Sequence, residues 1–200
     1  MIGVCDVVRQ GLFITYADHL MKLTRTKIRD VQIIEPKMFI DARGYFFESF
    51  NHHVFSKALG YDLTFVQDNQ SRSMRGVLRG LHYQVEHAVQ GKLVRVVEGV
   101  IFDVAVDIRP ASATYGQWVS EILSAENRKQ IWIPEGFAHG FLVVSAYAEV
   151  CYKTTDYWVP QNERSLRWDD PDLAIHWPLT EIGVAPLISE RDQQGHFFRR

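Results

Sequence analysis

Several ionisable side chains stand inside one stretch of strand-like sequence. In residues 76–99, GVLRGLHYQVEHAVQGKLVRVVEG, Arg79, His82, Lys92 and Arg95 are set among valine, leucine and tyrosine. An imidazole titrates near neutrality and can accept a proton at working pH. A guanidinium grips phosphate through its forked donors, and an ammonium in a dry pocket can hold developing negative charge. Each also has a plainer reading. His82 on its own reads as a satisfied strand histidine and Lys92 as a solvated strand end. Further along, His139 lies in PEGFAHGF and Tyr152 in CYKTTDYW. A strand tyrosine is ordinarily an amphipathic core residue.

The elements that must carry these groups are short and β-like. Runs at 31–36, 44–50, 64–73, 76–84, 91–99, 100–108, 115–124, 129–134, 139–145 and 147–155 are rich in β-branched and aromatic residues and separated by turn residues. This pattern predicts an antiparallel sandwich or barrel. In VIFDVAVDI, Ile101, Asp103, Ala105 and Asp107 share one face, and Phe102, Val104, Val106 and Ile108 the other. A helix is expected in 51–60, capped by Asn51 and ended by Gly60. One geometric condition follows. Arg79 and His82 are three positions apart, so a regular strand points them to opposite faces. A bulge or twist at Gly80 is needed to bring both into one cavity.

The 200-residue length fits one domain with a core of normal size. A formal net charge of −2 gives no general drive toward nucleic acid or an anionic membrane, so any anion site must be a local cluster. No apolar run approaches a membrane span. Cys5 and Cys151 lie far apart and form no CxxC, which argues against a disulfide framework and for a reducing, cytoplasmic setting. Residues 1–20 carry Asp6 and Arg9 within their apolar part, unlike a signal peptide. More regular sequence begins at Met21. We expect residues 1–20 to be an appendage and 21–200 a single domain.

Two spacings are informative. Gly76 precedes His82 as Gly-x5-His, and Pro134, Gly136 and His139 form Pro-x-Gly-x-x-His. Together they resemble the paired motifs of cupins, which line the mouth of a jelly-roll barrel. The resemblance implies an all-β fold, an antiparallel jelly-roll (cupin) barrel with one or two short helices. Metal-binding cupins use His-x-His with a nearby Glu and a later His. Here Gln84 stands where the second His would be. Gln is a poor ligand for a transition metal, so no metal and no cofactor are expected, although Glu86 and His87 keep a degraded site open. QGKL at 90–93 does not fit a phosphate-binding loop.

From about Val31 to Asp192 the chain resembles a particular cupin-like family, the dTDP-4-dehydrorhamnose 3,5-epimerases. The blocks that carry the resemblance are DARGYFFESFN, FVQDNQSRS, GVLRGLHYQ, QGKLVRV, FDVAVDIR, YGQW, WIPEGFAHGF, YKTTDYW and ISERD. It implies a cytoplasmic homodimer that inverts carbons 3 and 5 of dTDP-4-dehydro-6-deoxy-D-glucose. Such a reaction removes a proton α to a ketone and returns it on the other face. The resemblance makes His82 the base, oriented by Asp192. Tyr152 becomes the acid, a phenol that stays protonated at neutral pH. Lys92 falls near the keto oxygen, with Arg79 and His139 framing the pocket. Arg43 and Glu48 are implied to hold the nucleotide, partly across the dimer interface. Phe46 or Tyr157 would stack on thymine, and Gln67 and Asn69 would hydrogen-bond the base or phosphates. A one-carbon epimerase on another dTDP-keto-sugar, a metal-dependent cupin enzyme using His82, His139 and Glu86, and a non-enzymatic sugar-binding cupin are the competing readings.

Overall fold

The computed structural model describes residues 21–199. Residues 1–20, expected to be an appendage and containing Cys5, lie outside the described residues. The chain begins with β1 (Met21–Arg25), β2 (Gln32–Pro36), β3 (Phe39–Asp41), β4 (Gly44–Phe46) and α1 (His52–Leu59). It continues through β5 (Gln67–Met74), β6 (Val77–Gln84), β7 (Lys92–Glu98), β8 (Val100–Asp107) and β9 (Trp118–Ser124). Then follow β10 (Gln130–Ile133), β11 (Phe137–Val143), β12 (Tyr147–Thr154) and β13 (Glu163–Ser165). α2 (Leu179–Ile182), β14 (Leu187–Ile188) and α3 (Glu190–Gln193) close it.

Two sheets form the barrel. One has the order β1-β2-β10-β7-β12-β5; the other runs β13-β6-β11-β8-β9, with β14 added in parallel beside β6. The other ladders are antiparallel, and β3 with β4 makes a separate hairpin. Val94, Val96, Ile131, Ile133 and Val150 from the first sheet meet Ile101, Ala105, Val119, Leu123, Phe141 and Val143 from the second in one core cluster. Fully burying each such aliphatic side chain contributes roughly 1.5–3 kcal/mol, so the apolar alternation on these strands is what joins the sheets.

The imperfect alternation of β8 has a simple cause: both faces are covered. Ile101 and Ala105 face the other sheet, while Val104 and Val106 pack with Leu166, Leu173 and Phe198 of the C-terminal segment. Asp107, on the same face as Asp103, is buried and structural. Burial opposes its ionisation, but bonds from Arg109, Ser112 and Thr114 more than offset this and hold it far below the ordinary carboxylate range.

Helix α1 forms where local signals place it. The Asn51 side chain accepts from the Val54 N–H, and Gly60 adopts the left-handed conformation that ends the helix. Its buried Phe55 packs with Leu93 and Trp132 on the outer face of the first sheet. The strand expected across 44–50 stops at Phe46, because its partner is only the short β3. The described residues contain three short α-helices rather than one or two, the extra turns following Pro178 and Ser189. None of these helices is long and apolar enough to cross a membrane.

Candidate active site

The site starts from an irregularity in β6. His82 pairs with His139 of β11 and Arg79 pairs with Phe141, so β6 advances three residues while β11 advances two. The extra residue is a bulge, and it lets Arg79 and His82 line the same cavity. Gly80 makes it possible. It has φ +124°, and a Cβ there would lie 2.5 Å from Gly140 Cα and 2.7 Å from the His139 carbonyl oxygen. The Gly80–Leu81 peptide bond is cis.

Behind His82 sits a buried carboxylate. His82 Nε2 lies 2.5 Å from Asp192 Oδ1, and Asp192 Oδ2 accepts from the Gly80 N–H at 3.3 Å. Asp192 belongs to the short α3, where Ser189 Oγ accepts from its backbone N–H at 3.1 Å. Burial pushes the Asp192 carboxyl up, but the bonds from His82, Gly80 and Ser189 and the charge of His82 leave it below the usual range. An ionised carboxylate only accepts, so Nε2 of His82 carries the hydrogen and Nδ1 is the nitrogen able to take a proton.

The opposite sheet supplies the other groups. Tyr152 on β12 and Lys92 on β7 line the cavity facing β6 and β11. Tyr152 is largely buried, and burial followed by the negative charge of Glu163 raises its phenol, against the opposing effect of Arg79. It is therefore a proton donor at neutral pH. Lys92 is 9% exposed and donates to the His82 carbonyl oxygen at 3.3 Å. Burial lowers its ammonium to about 8, with Glu163 and Asp103 resisting the fall. In so dry a site its ammonium form acts strongly on any anion formed beside it.

The cavity has two lobes of about 190 and 330 Å³ that share Asn69, His82, Lys92, Tyr152, Trp158 and Glu163. Gln67 lines the first lobe; Arg79 and His139 line the second. His139 repeats the histidine–aspartate arrangement, with Nε2 2.8 Å from Oδ2 of the fully buried Asp103. Of Arg79, His82, Lys92 and Arg95, the last is the exception. Its neighbours Val94 and Val96 face the core, so it points outward into a separate cavity of about 510 Å³ with Gln130 and Lys153.

Glu163, Trp158 and Arg191 are among the cavity residues not singled out from sequence. Glu163 Oε2 takes Trp158 Nε1–H at 2.5 Å and pairs with Arg191 at 2.7 Å, tying the cavity mouth to the segment that carries Asp192. Nothing in their local pattern marks them: Trp158 lies in irregular chain, Glu163 on the three-residue β13 and Arg191 on the short α3. Tyr157, expected to stack on thymine, does not line these lobes. Its side chain is exposed and its carbonyl is turned to Gln84, while Trp158 lines both lobes.

Arg43, Phe46 and Glu48 do not line the cavity of their own chain. Arg43 sits on the β3–β4 hairpin with its side chain 90% exposed and paired to Asp41, and Glu48 accepts from Asn51. Phe46 is exposed on the same hairpin.

Gln84, where a metal-binding cupin would carry histidine, spends its carboxamide on backbone groups. Among the described residues no three His, Cys, Asp or Glu side chains converge as a metal site would require.

Comparison with known proteins agrees in sequence and in shape. A family model described as dTDP-4-dehydrorhamnose 3,5-epimerase matches residues 25–200. The dTDP-4-dehydrorhamnose 3,5-epimerase of Pseudomonas aeruginosa is 60% identical over 178 residues, covering 89% of this chain and 96% of that one. The Shigella flexneri protein of the same name is 54% identical with the same coverage. Among solved structures, the dTDP-6-deoxy-D-glucose-3,5-epimerase of Legionella pneumophila in complex with dTDP-4-keto-L-rhamnose superposes with a TM-score of 0.85. It is 52% identical over 88% of this chain and 92% of that one.

Proposed function

The chain belongs to the dTDP-4-dehydrorhamnose 3,5-epimerase family, and from that premise we propose how its own residues carry out the reaction. The substrate is dTDP-4-dehydro-6-deoxy-D-glucose, and the product is dTDP-4-dehydro-L-rhamnose. His82 removes the proton from a carbon next to the ketone through Nδ1, while Asp192 fixes the ring and stabilises the imidazolium. Lys92, with Arg79 and His139 beside it, stabilises the enolate oxygen. Tyr152 returns a proton from the opposite side; His82 then releases its proton to solvent and Tyr152 regains one from it, and the cycle repeats at the second carbon. The observation that carries this reading is the opposition itself: His82 and Tyr152 line one cavity from different sheets. Inversion needs a base and an acid on opposite faces of the sugar, and two facing sheets supply them.

The nucleotide reading rests on the cavity mouth. Trp158, half-exposed and pinned at both its N–H groups, suits stacking on the pyrimidine. Gln67 and Asn69 line the adjoining wall. We place Arg43, Phe46 and Glu48 at a second copy's site. An exposed hairpin bearing Ile40, Tyr45 and Phe46 is the kind of apolar surface a homodimer covers. A cytoplasmic setting agrees with the sparse, unpaired cysteine pattern of the sequence.

Incubating the enzyme with the dTDP-keto-sugar in heavy water tests the reaction. Deuterium at both carbons flanking the ketone is expected. Label at one carbon alone would make it a monoepimerase, and label at neither would reject proton abstraction altogether.

A further inference from the structure

Gln84 is buried on the last turn-ward residue of β6, and all three of its hydrogen bonds go to the backbone of neighbouring loops. Its Nε2 donates to the Ala88 carbonyl at 2.6 Å and to the Tyr157 carbonyl at 3.1 Å. Its Oε1 accepts from the Val159 N–H at 2.6 Å. Between those two loop residues lies Trp158, whose own N–H donates to Gln67 Oε1 at 3.0 Å. Two glutamine side chains therefore grip three successive backbone positions in a segment that has no sheet ladder to hold it. The indole between them is 52% exposed and lines both lobes of the cavity. A large aromatic so exposed needs such anchoring to keep one orientation, since solvent exerts no packing force on it.

We infer that Gln84 is a positioning residue for nucleotide binding: it replaces a metal ligand with a backbone clamp that presents the Trp158 ring to the pyrimidine. This rests on the reading of Trp158 as the stacking surface. A carboxamide suits the task because it offers donors and an acceptor at once, whereas a histidine at this place could satisfy two of the three backbone groups at most. The clamp acts before chemistry, on the geometry of the free site, so its loss should appear in affinity and leave the proton transfers untouched.

Calorimetric titration of dTDP into the wild type, Gln84→Ala, Trp158→Ala and the double variant tests this, alongside steady-state kinetics. Gln84→Ala should weaken dTDP binding about tenfold and raise KM similarly, with kcat within about threefold. In the Trp158→Ala background the same change should add less than about twofold, because there is no ring left to position. Wild-type affinity in Gln84→Ala, or an undiminished effect in the Trp158→Ala background, overturns the inference. If Trp158→Ala itself binds dTDP like the wild type, the stacking reading fails and takes this inference with it, an outcome the four-protein set separates from the first. Circular dichroism checks folding. Should Gln84→Ala not fold, the isosteric Gln84→Glu, which loses both donors, is expected to show the same loss of affinity with kcat retained.

Discussion

His82 and His139 are direct cross-strand partners on β6 and β11, yet each turns Nε2 to a different buried aspartate, Asp192 and Asp103. The two carboxylates come from α3 and from β8, on opposite flanks of the histidine pair. Each ring is thus held with the same nitrogen inward, and Nδ1 is the nitrogen without a bond among the described residues. Adjacent imidazoles with identical tautomers need not share a role. His82 is the more exposed, with 28% of its side chain open against 8% for His139, and so is the better placed to exchange protons.

Asp192→Asn keeps the size of the side chain but can donate to Nε2, which favours the tautomer with its hydrogen on Nδ1. The base would then present a hydrogen where it needs a lone pair. We expect kcat to fall about 10³-fold with little change in thermal stability. Deuterium uptake from heavy water should fall in parallel; uptake at the wild-type rate would remove Asp192 from the mechanism.

Tyr152→Phe removes the acid and leaves the base. Exchange of substrate protons with solvent should survive better than inversion, giving labelled substrate in excess of product. The nuclear magnetic resonance spectrum of recovered sugar reports both. Equal losses of exchange and inversion would mean that Tyr152 does not act separately.

Lys92 links activity to pH and to stability. Its ammonium falls to about 8 in the folded chain from an ordinary value of 10.5. The activity it supports should therefore decline on the alkaline side with a midpoint near pH 8. Glu163→Gln or Asp103→Asn removes an anion that favours the ammonium, so either change should move that limb to lower pH. For stability the sign is reversed. The folded state binds this proton less well than the unfolded state, so below pH 8 the buried charge is destabilising, and that deficit fades as pH rises toward 10.5. Lys92→Met should abolish turnover and raise the melting temperature at pH 7, a gain on the order of 1–3 kcal/mol. A lower melting temperature would show that the charge is better compensated than its burial implies.

Gly80→Ala puts a methyl group against Gly140 and into a backbone conformation with φ +124°. A loss of about 2 kcal/mol or more is expected from denaturant titration. Activity should fall further than stability accounts for, because the bulge is what brings Arg79 and His82 together. Retained activity in a folded variant would mean that the bulge tolerates a side chain.

A shared site can be tested by mixing variants. If, as proposed, two copies share each site, the Arg43→Ala and His82→Ala proteins should each be impaired. After random subunit exchange, about half of the dimers would be hybrids with one intact site, and activity should recover toward about a quarter of wild type. Absence of recovery, with exchange verified by mass, would place Arg43 outside the partner's pocket.

Much of this molecule is local and could be read along the chain. The Asn51 cap and Gly60 stop define α1 within ten residues, and period-two patterning assigns most strands. Spacing marked His82 and His139, and the three-residue interval from Arg79 already demanded a bulge at Gly80. The form of that bulge was set by Gly140, a residue of another strand. No local pattern names the partners: the family resemblance pairs Asp192 with His82, and the tertiary structure alone supplies Asp103 to His139. Asp192 lies 110 positions from His82 and Asp103 lies 36 from His139, so no sequence period relates them. Trp158 lies in irregular chain, Glu163 on the three-residue β13 and Arg191 on the short α3, and what their side chains meet follows from partners distant in sequence or from what grips the backbone. A strand's alternation fixes which way its side chains point, but only packing of distant segments fixes what they meet.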